Sequence, residues 1–234
     1  MNSTTQKPLI DQKRIHHTIY LLHNRIEARF PESGLGKVCE KLLHISEETS
    51  KTIEWVEKPN YLIRILFGLF LAFMVGILIV SVQSLDIDFN HLQLVDLVQT
   101  IEAATNEIVL IGAGVFFLYS YENRMKRDKI IACVNELRSI IHLIDLHQLT
   151  KDPYVYKNLS EFKNSTFSPK REMSLLELNR YLDYCTEMLS LTSKIGFLYV
   201  QNFNDETCTA TVNELESLSV SLSRKIWQKI SFLK

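Results

Sequence analysis

The sequence predicts an all-α protein: an integral membrane two-helix hairpin, N-in and C-in, with a cytoplasmic helical bundle. Three observations predict it. The run ILFGLFLAFMVGILIVSV, from Ile65 to Val82, carries no charge. Elsewhere apolar residues recur at steps of three and four, and Gly (7) and Pro (5) are scarce in 234 residues, which favours long helices over turn-rich β structure. Lys and Arg crowd both outer sides of the apolar block and are missing from its middle.

The charge-free run has roughly 18 residues, which at 1.5 Å each give ~27 Å, and Leu62 and Leu85 extend it to the length of a span. Each Leu, Ile, Phe or Val near the centre favours insertion by about 0.3–0.6 kcal/mol. A buried core helix is the competing reading, but charge-free sequence of this length is rare in soluble cores.

The second span is read from NEIVLIGAGVFFLYSYENRMKRDK, beginning at Asn106. Its apolar part, Ile108 to Tyr119, covers only ~18 Å as a helix. Extension back to Leu97 supplies the length and brings in Gln99, Glu102, Asn106 and Glu107. A carboxylate costs about 2.5–3.5 kcal/mol at the bilayer centre and less near an interface. Glu102 and Glu107 are therefore expected towards one headgroup layer, with Tyr119 and Tyr121 in the other. Gln99, Glu102 and Asn106 share a helix face that Ala113 continues, flanked by Gly112 and Gly114. Two readings of these four polar residues stand. They line a shared path between subunits, or they belong to an amphipathic lead-in, from near Asn90, lying on the outer surface.

Charge sets the direction. Arg25, Arg29, Lys37, Lys41, Lys51, Lys58 and Arg64 precede the first span, and Arg124, Lys126, Arg127 and Lys129 follow the second. Between Gln83 and Glu107 stand Asp86, Asp88, Asp96, Glu102 and Glu107, with no Lys or Arg. The positive-inside rule then places both termini in the cytoplasm. The organisation expected is 1–60 as N-terminal helices, 61–121 as the hairpin, and 122–234 as stalk and bundle.

The cytoplasmic helices are read from their stripes. Ile15, Ile19, Leu22, Ile26 and Phe30 form one, and PESGLG breaks the chain after it. Val38, Leu42, Ile45, Thr49 and Ile53 form a second, ended by Pro59. Ile130, Val134, Leu137, Ile141 and Ile144 step as a heptad seam, so span and stalk are expected to be one rod ended by Asp152-Pro153. A polar segment follows to about Arg171, and its Asn-x-Ser/Thr triplets at Asn158 and Asn164 carry no glycan on the cytoplasmic side. SLLE from Ser174 is a capping-box pattern, opening a helix with Leu178, Leu182, Cys185, Leu189 and Thr192 on one face. Asp205 is expected to cap the last helix, which carries Val212, Leu215, Ser219, Leu222 and Ile226. Three such helices suit an antiparallel bundle to which the N-terminal pair can add.

Composition excludes several classes. A net charge of −1 offers no bulk attraction to nucleic acid. The 4 cysteines, Cys39, Cys133, Cys185 and Cys208, form no CxxC pair and are expected as reduced thiols. The N-terminus, MNSTTQKPLIDQKR, is not expected to act as a secretory leader. No phosphate loop, cofactor motif or metal-ligand spacing is present, so the protein is expected to be no enzyme and to hold no cofactor or metal.

Four clusters carry weaker chemistry. In HLIDLHQLTKDP, His142 and Asp145 are i, i+3 neighbours that can orient a general base, while His147 points away from His142. The competing reading is a helix terminus whose histidines meet the dipole. RIHHTIYLLH holds His16, His17 and His23 without the spacing of a zinc protease. In NRYLDYCTEM, Arg180 can pair along the helix with Asp183 or Tyr184, and Cys185 sits on the apolar seam. In LSRKIWQKI, Arg224, Lys225 and Lys229 surround Trp227, a pattern able to take an anionic ligand or simply to match a helix C-terminus.

The stretches HLIDLHQLTKDP, LNRYLDYCTEMLSL and LSRKIWQKI resemble an uncharacterised family of bacterial membrane proteins over roughly the second half of the chain. That resemblance implies a bacterial source, and no functional residue carries over from it. The layout of two spans plus cytoplasmic helices is similar to SLATT-type effectors of bacterial conflict systems, which implies a membrane pore opened when a partner senses a signal.

The function expected is that of a non-enzymatic, oligomeric inner-membrane protein. Its cytoplasmic helices would receive a protein or a small anionic ligand, and its membrane part would be an effector or permeability pathway. The alternative is a passive anchor or scaffold for a cytoplasmic complex.

Overall fold

The computed structural model describes residues 10–83, 94–158, 165–169 and 171–233. The expected acidic connection around Asp86 and Asp88, the lead-in near Asn90 and the triplet at Asn164 lie outside these residues. Every regular element among the described residues is helical: α1 (Gln12–Arg29), α2 (Gly34–Glu57), α3 (Tyr61–Gln83), α4 (Leu94–Leu149), α5 (Pro153–Lys157), α6 (Leu175–Val200) and α7 (Glu206–Ser231). They form two compact units, one of residues 1–57 with 129–234 and one of 58–128.

In the first unit, local chemistry sets where each helix begins. The Asp11 carboxylate accepts from Lys13 N–H and opens α1. At PESGLG the chain turns through Glu32, whose φ of 56° is left-handed, and Ser33 Oγ accepts from Gly36 N–H at 3.0 Å to open α2. Asp152 caps α5, with Pro153 at its first position, where a missing N–H costs nothing. The polar segment after α4 thus begins with a short helix that the apolar pattern did not announce. Ser174 and Glu177 form the full capping box of α6, and Asp205 caps α7 through Cys208 N–H.

The stripes read from spacing are buried, with Ile53 only partly so. Ile19, Leu22, Ile26, Leu42, Val134, Leu137, Ile141, Ile144, Leu178, Leu182, Leu189, Leu215 and Ile226 are all 0 % exposed and belong to one continuous core. Each such side chain contributes about 1.5–3 kcal/mol by leaving water. The two N-terminal helices share this core: α1 packs on α2, and both pack on α6. Gly196 allows a close approach of α6 and α7, because a Cβ there would lie 2.7 Å from Leu215 Cδ2. Buried polar groups are satisfied locally, as where Thr49 Oγ1 donates to Ile45 O at 2.7 Å and meets Tyr199 Oη at 3.0 Å.

The second unit is the hairpin of α3 with the first half of α4. The helices run antiparallel, since Asn60 N–H donates to Glu122 Oε1 at 3.2 Å while Phe70 lies against Gly114. A Cβ at Gly114 would fall 2.8 Å from Phe70 Cε1, so glycine here allows the close crossing. The chain of α4 continues without a break from this unit into the first.

Candidate functional site

Two places gather the residues that bear chemistry. The first is the end of the bundle where α4 terminates. The last carbonyls of a helix lack intrahelical partners and carry its negative partial charge. Here the Lys229 ammonium, from α7, donates to Gln148 O at 2.8 Å and to Gln148 Oε1 at 2.6 Å. Gln148 is 3 % exposed, and its Nε2 donates in turn to Asp145 Oδ1 at 2.7 Å. Burial pulls the Lys229 ammonium below its usual range, and the carboxylates of Asp152 and Asp145 act against that fall.

Around this relay the packing is close. The His147 imidazole covers Gly34 and leaves no room for a Cβ there. Burial lowers the pKa of His147, and nearby Lys151 lowers it further. Lys151 Nζ sits 5.3 Å from the centroid of Tyr181. The Cys185 thiol is fully enclosed, and burial pushes it up to about 12 despite Lys229 and Lys151 nearby. A thiol so protonated is core and not a nucleophile.

The residues singled out in the sequence fare differently. Asp145 is bonded to Gln148 and forms no hydrogen bond with His142, which is exposed. The pair that could have oriented a general base is not assembled. Arg180 meets Asp183 at 3.7 Å along its helix. Arg224 and Lys225 are exposed, and Trp227 is 57 % exposed with neither cation against its ring. Of the basic residues in LSRKIWQKI, Lys229 alone joins the relay. His16 Nδ1 meets Ser46 Oγ at 2.8 Å, tying α1 to α2. Among the described residues no three His, Cys, Asp or Glu side chains converge as metal ligands would.

The second place is the hairpin. Its apolar stretches are long enough to cross a membrane, and they are exposed: 6 % of that of α3 is buried and 0 % of that of α4. No family model, curated protein or solved structure matches the chain. Geometry and chemistry therefore carry the functional reading.

At one end of the hairpin Glu122 gathers cations: Lys126 at 2.9 Å and Arg64 at 3.8 Å. Tyr61 and Tyr119 are exposed near that end. Along α4 the half-buried row facing α3 is Glu107, Ile111, Gly114 and Leu118. Glu102 and Asn106 are exposed and lie about 140° and 100° around the helix from Glu107. Glu107 therefore stands apart from the polar stripe. Gln99 is on α4, with its side chain outside those described.

Spacing along α3 carries a further, small-residue signal. Gly68, Ala72 and Gly76 repeat every four residues on a face of α3 turned away from Phe70, by about 160° for Gly68 and Ala72 and about 120° for Gly76. A Cβ at Gly68 or Gly76 would meet nothing within 4 Å.

Proposed function

We propose that the protein is a non-enzymatic, oligomeric component of a bacterial inner membrane. Its hairpin crosses the bilayer with both termini in the cytoplasm. Its bundle receives a cytoplasmic protein or a small anionic ligand, and its membrane part acts as an effector that opens a permeability pathway.

One observation carries this reading: two apolar helix stretches that almost nothing among the described residues covers. A core helix of the same composition would be mostly buried. Leu62, Ile65, Leu69, Phe73, Val80, Ile108, Val109, Phe116 and Phe117 are each more than half exposed, a surface that water tolerates poorly and lipid does not oppose. The Tyr rings and cations at one end suit a cytoplasmic headgroup layer.

Self-association follows from two features. In a single hairpin Glu102 and Asn106 would face lipid, at a cost that other copies remove by covering them. The open row of Gly68, Ala72 and Gly76 permits close approach of another helix.

The test begins with alkaline carbonate extraction of membranes, which the protein should resist. Native mass spectrometry in lipid nanodiscs then gives the subunit number. A discrete ring of four or more is expected, and ion flux through it should change when Glu102→Gln and Asn106→Leu are combined. A monomer removes the pathway, since one hairpin encloses nothing, and leaves a passive anchor or scaffold.

A further inference from the structure

Among the described residues one buried side-chain atom has no hydrogen-bond partner, Glu107 Oε1. It belongs to the row of α4 that faces α3. Nothing on α3 can neutralise it. Arg64 is the only charged residue of that helix, and it sits at the far end beside Glu122. Fifteen residues separate Glu107 from Glu122, about 22 Å of helix. The antiparallel register set by Phe70 and Gly114 brings Glu107 level with Ile77, deep in the charge-free part of α3.

The groups on its own helix do not help. Glu102 is a like charge on another face, and Asp96 is about three turns away. Tyr119 and Tyr121 are at the opposite end of the hairpin. Thr105 Oγ1 is committed to Ile101 O at 2.7 Å. An uncompensated carboxylate in an apolar setting is strongly disfavoured. A divalent cation carries two charges and holds several anionic oxygens, whereas one carboxylate balances a single positive charge.

We propose that Glu107 is a small-cation site within the hairpin, its charge cancelled by a proton or a sodium ion taken up from solution when α3 and α4 pack. The inference rests on the membrane reading above. Occupancy of this site ties the packing of the hairpin to the cation concentration around it.

The full chain in phosphatidylethanolamine–phosphatidylglycerol nanodiscs is treated with dicyclohexylcarbodiimide. The acid O–H of a protonated carboxyl adds across one C=N bond, and the O-acylisourea rearranges to an N-acylurea without a leaving group. Peptide mass mapping should find the adduct at Glu107, faster than at Glu102 or Glu122, and lost in Glu107→Gln. Labelling that slows as pH rises identifies the proton. Labelling that slows when sodium replaces choline at constant pH identifies sodium. Labelling of Glu107 no faster than Glu102, or indifferent to both pH and sodium, overturns the site. Carbonate extraction separates the two failures. A chain that leaves the membrane sinks the membrane reading and this site together, whereas retention with Glu107 unlabelled sinks the site alone.

Discussion

Lys229 of α7 closes the C-terminus of α4 by donating to both oxygens of Gln148, at 2.8 and 2.6 Å. Hydrogen bonds from a charged donor are worth about 1.5–3 kcal/mol. Lys229 is only half-buried, so the lower end applies. Lys229→Met should destabilise the bundle by about 1.5 kcal/mol, read from urea unfolding in detergent. A loss no larger than that of Lys225→Met, at an exposed position, would show that the contact is incidental.

His147 gives the bundle a dependence on pH. Its imidazole is held below the ordinary histidine value by burial and by Lys151. The folded state therefore binds its proton less readily than the unfolded chain. Its stabilising contribution is complete above the unfolded value, about 6.5, and is lost as pH falls through the folded one. Melting temperature should drop between pH 7 and pH 5, and His147→Gln should flatten that drop. Equal slopes in both proteins would assign the acid sensitivity to other groups.

Gly114 and Gly112 differ sharply although they are two residues apart. A side chain at Gly114 meets Phe70, whereas one at Gly112 meets nothing within 4 Å. Gly114→Leu should force α3 and α4 apart at a cost of about 1–3 kcal/mol, as overpacking does. Gly112→Leu should leave the hairpin intact. The comparison is made by thermal unfolding of both variants in detergent, and reversal of their order would contradict the crossing.

The row Gly68, Ala72 and Gly76 should matter only to assembly. Gly68→Leu with Gly76→Leu adds bulk on the side of α3 away from α4, so folding of one hairpin is spared. On the proposed oligomeric reading the subunit number in nanodiscs should fall. An unchanged ring would move the contact to the face carrying Glu102 and Asn106.

Much of the bundle was legible before its structure. A helix repeats every 3.6 residues, so a chain that must bury one face of it writes that face as steps of three and four. The stripes of α1, α2, α4, α6 and α7 follow this rule, and so do the caps at Ser174 and Asp205, because a cap acts within one turn. α5 was missed because five residues are too few for a period. The candidate sites were less legible. His142 and Asp145 were read as partners from their spacing, yet spacing along one helix does not exclude a better partner, and Gln148 took the carboxylate.

By itself the sequence determined the all-helical class, the faces that enter the core, and two stretches apolar enough to cross a membrane. All of these are set by neighbours within a turn or two. The tertiary structure alone decided which distant groups meet. Lys229 finds Gln148 across 81 residues and Thr49 finds Tyr199 across 150. It also chose which face of α4 meets α3, enclosing Glu107 Oε1 and leaving Glu102 and Asn106 exposed. The physical reason is one of range. Helix propensity and capping act along the chain, whereas desolvation and partner choice depend on what the fold brings alongside.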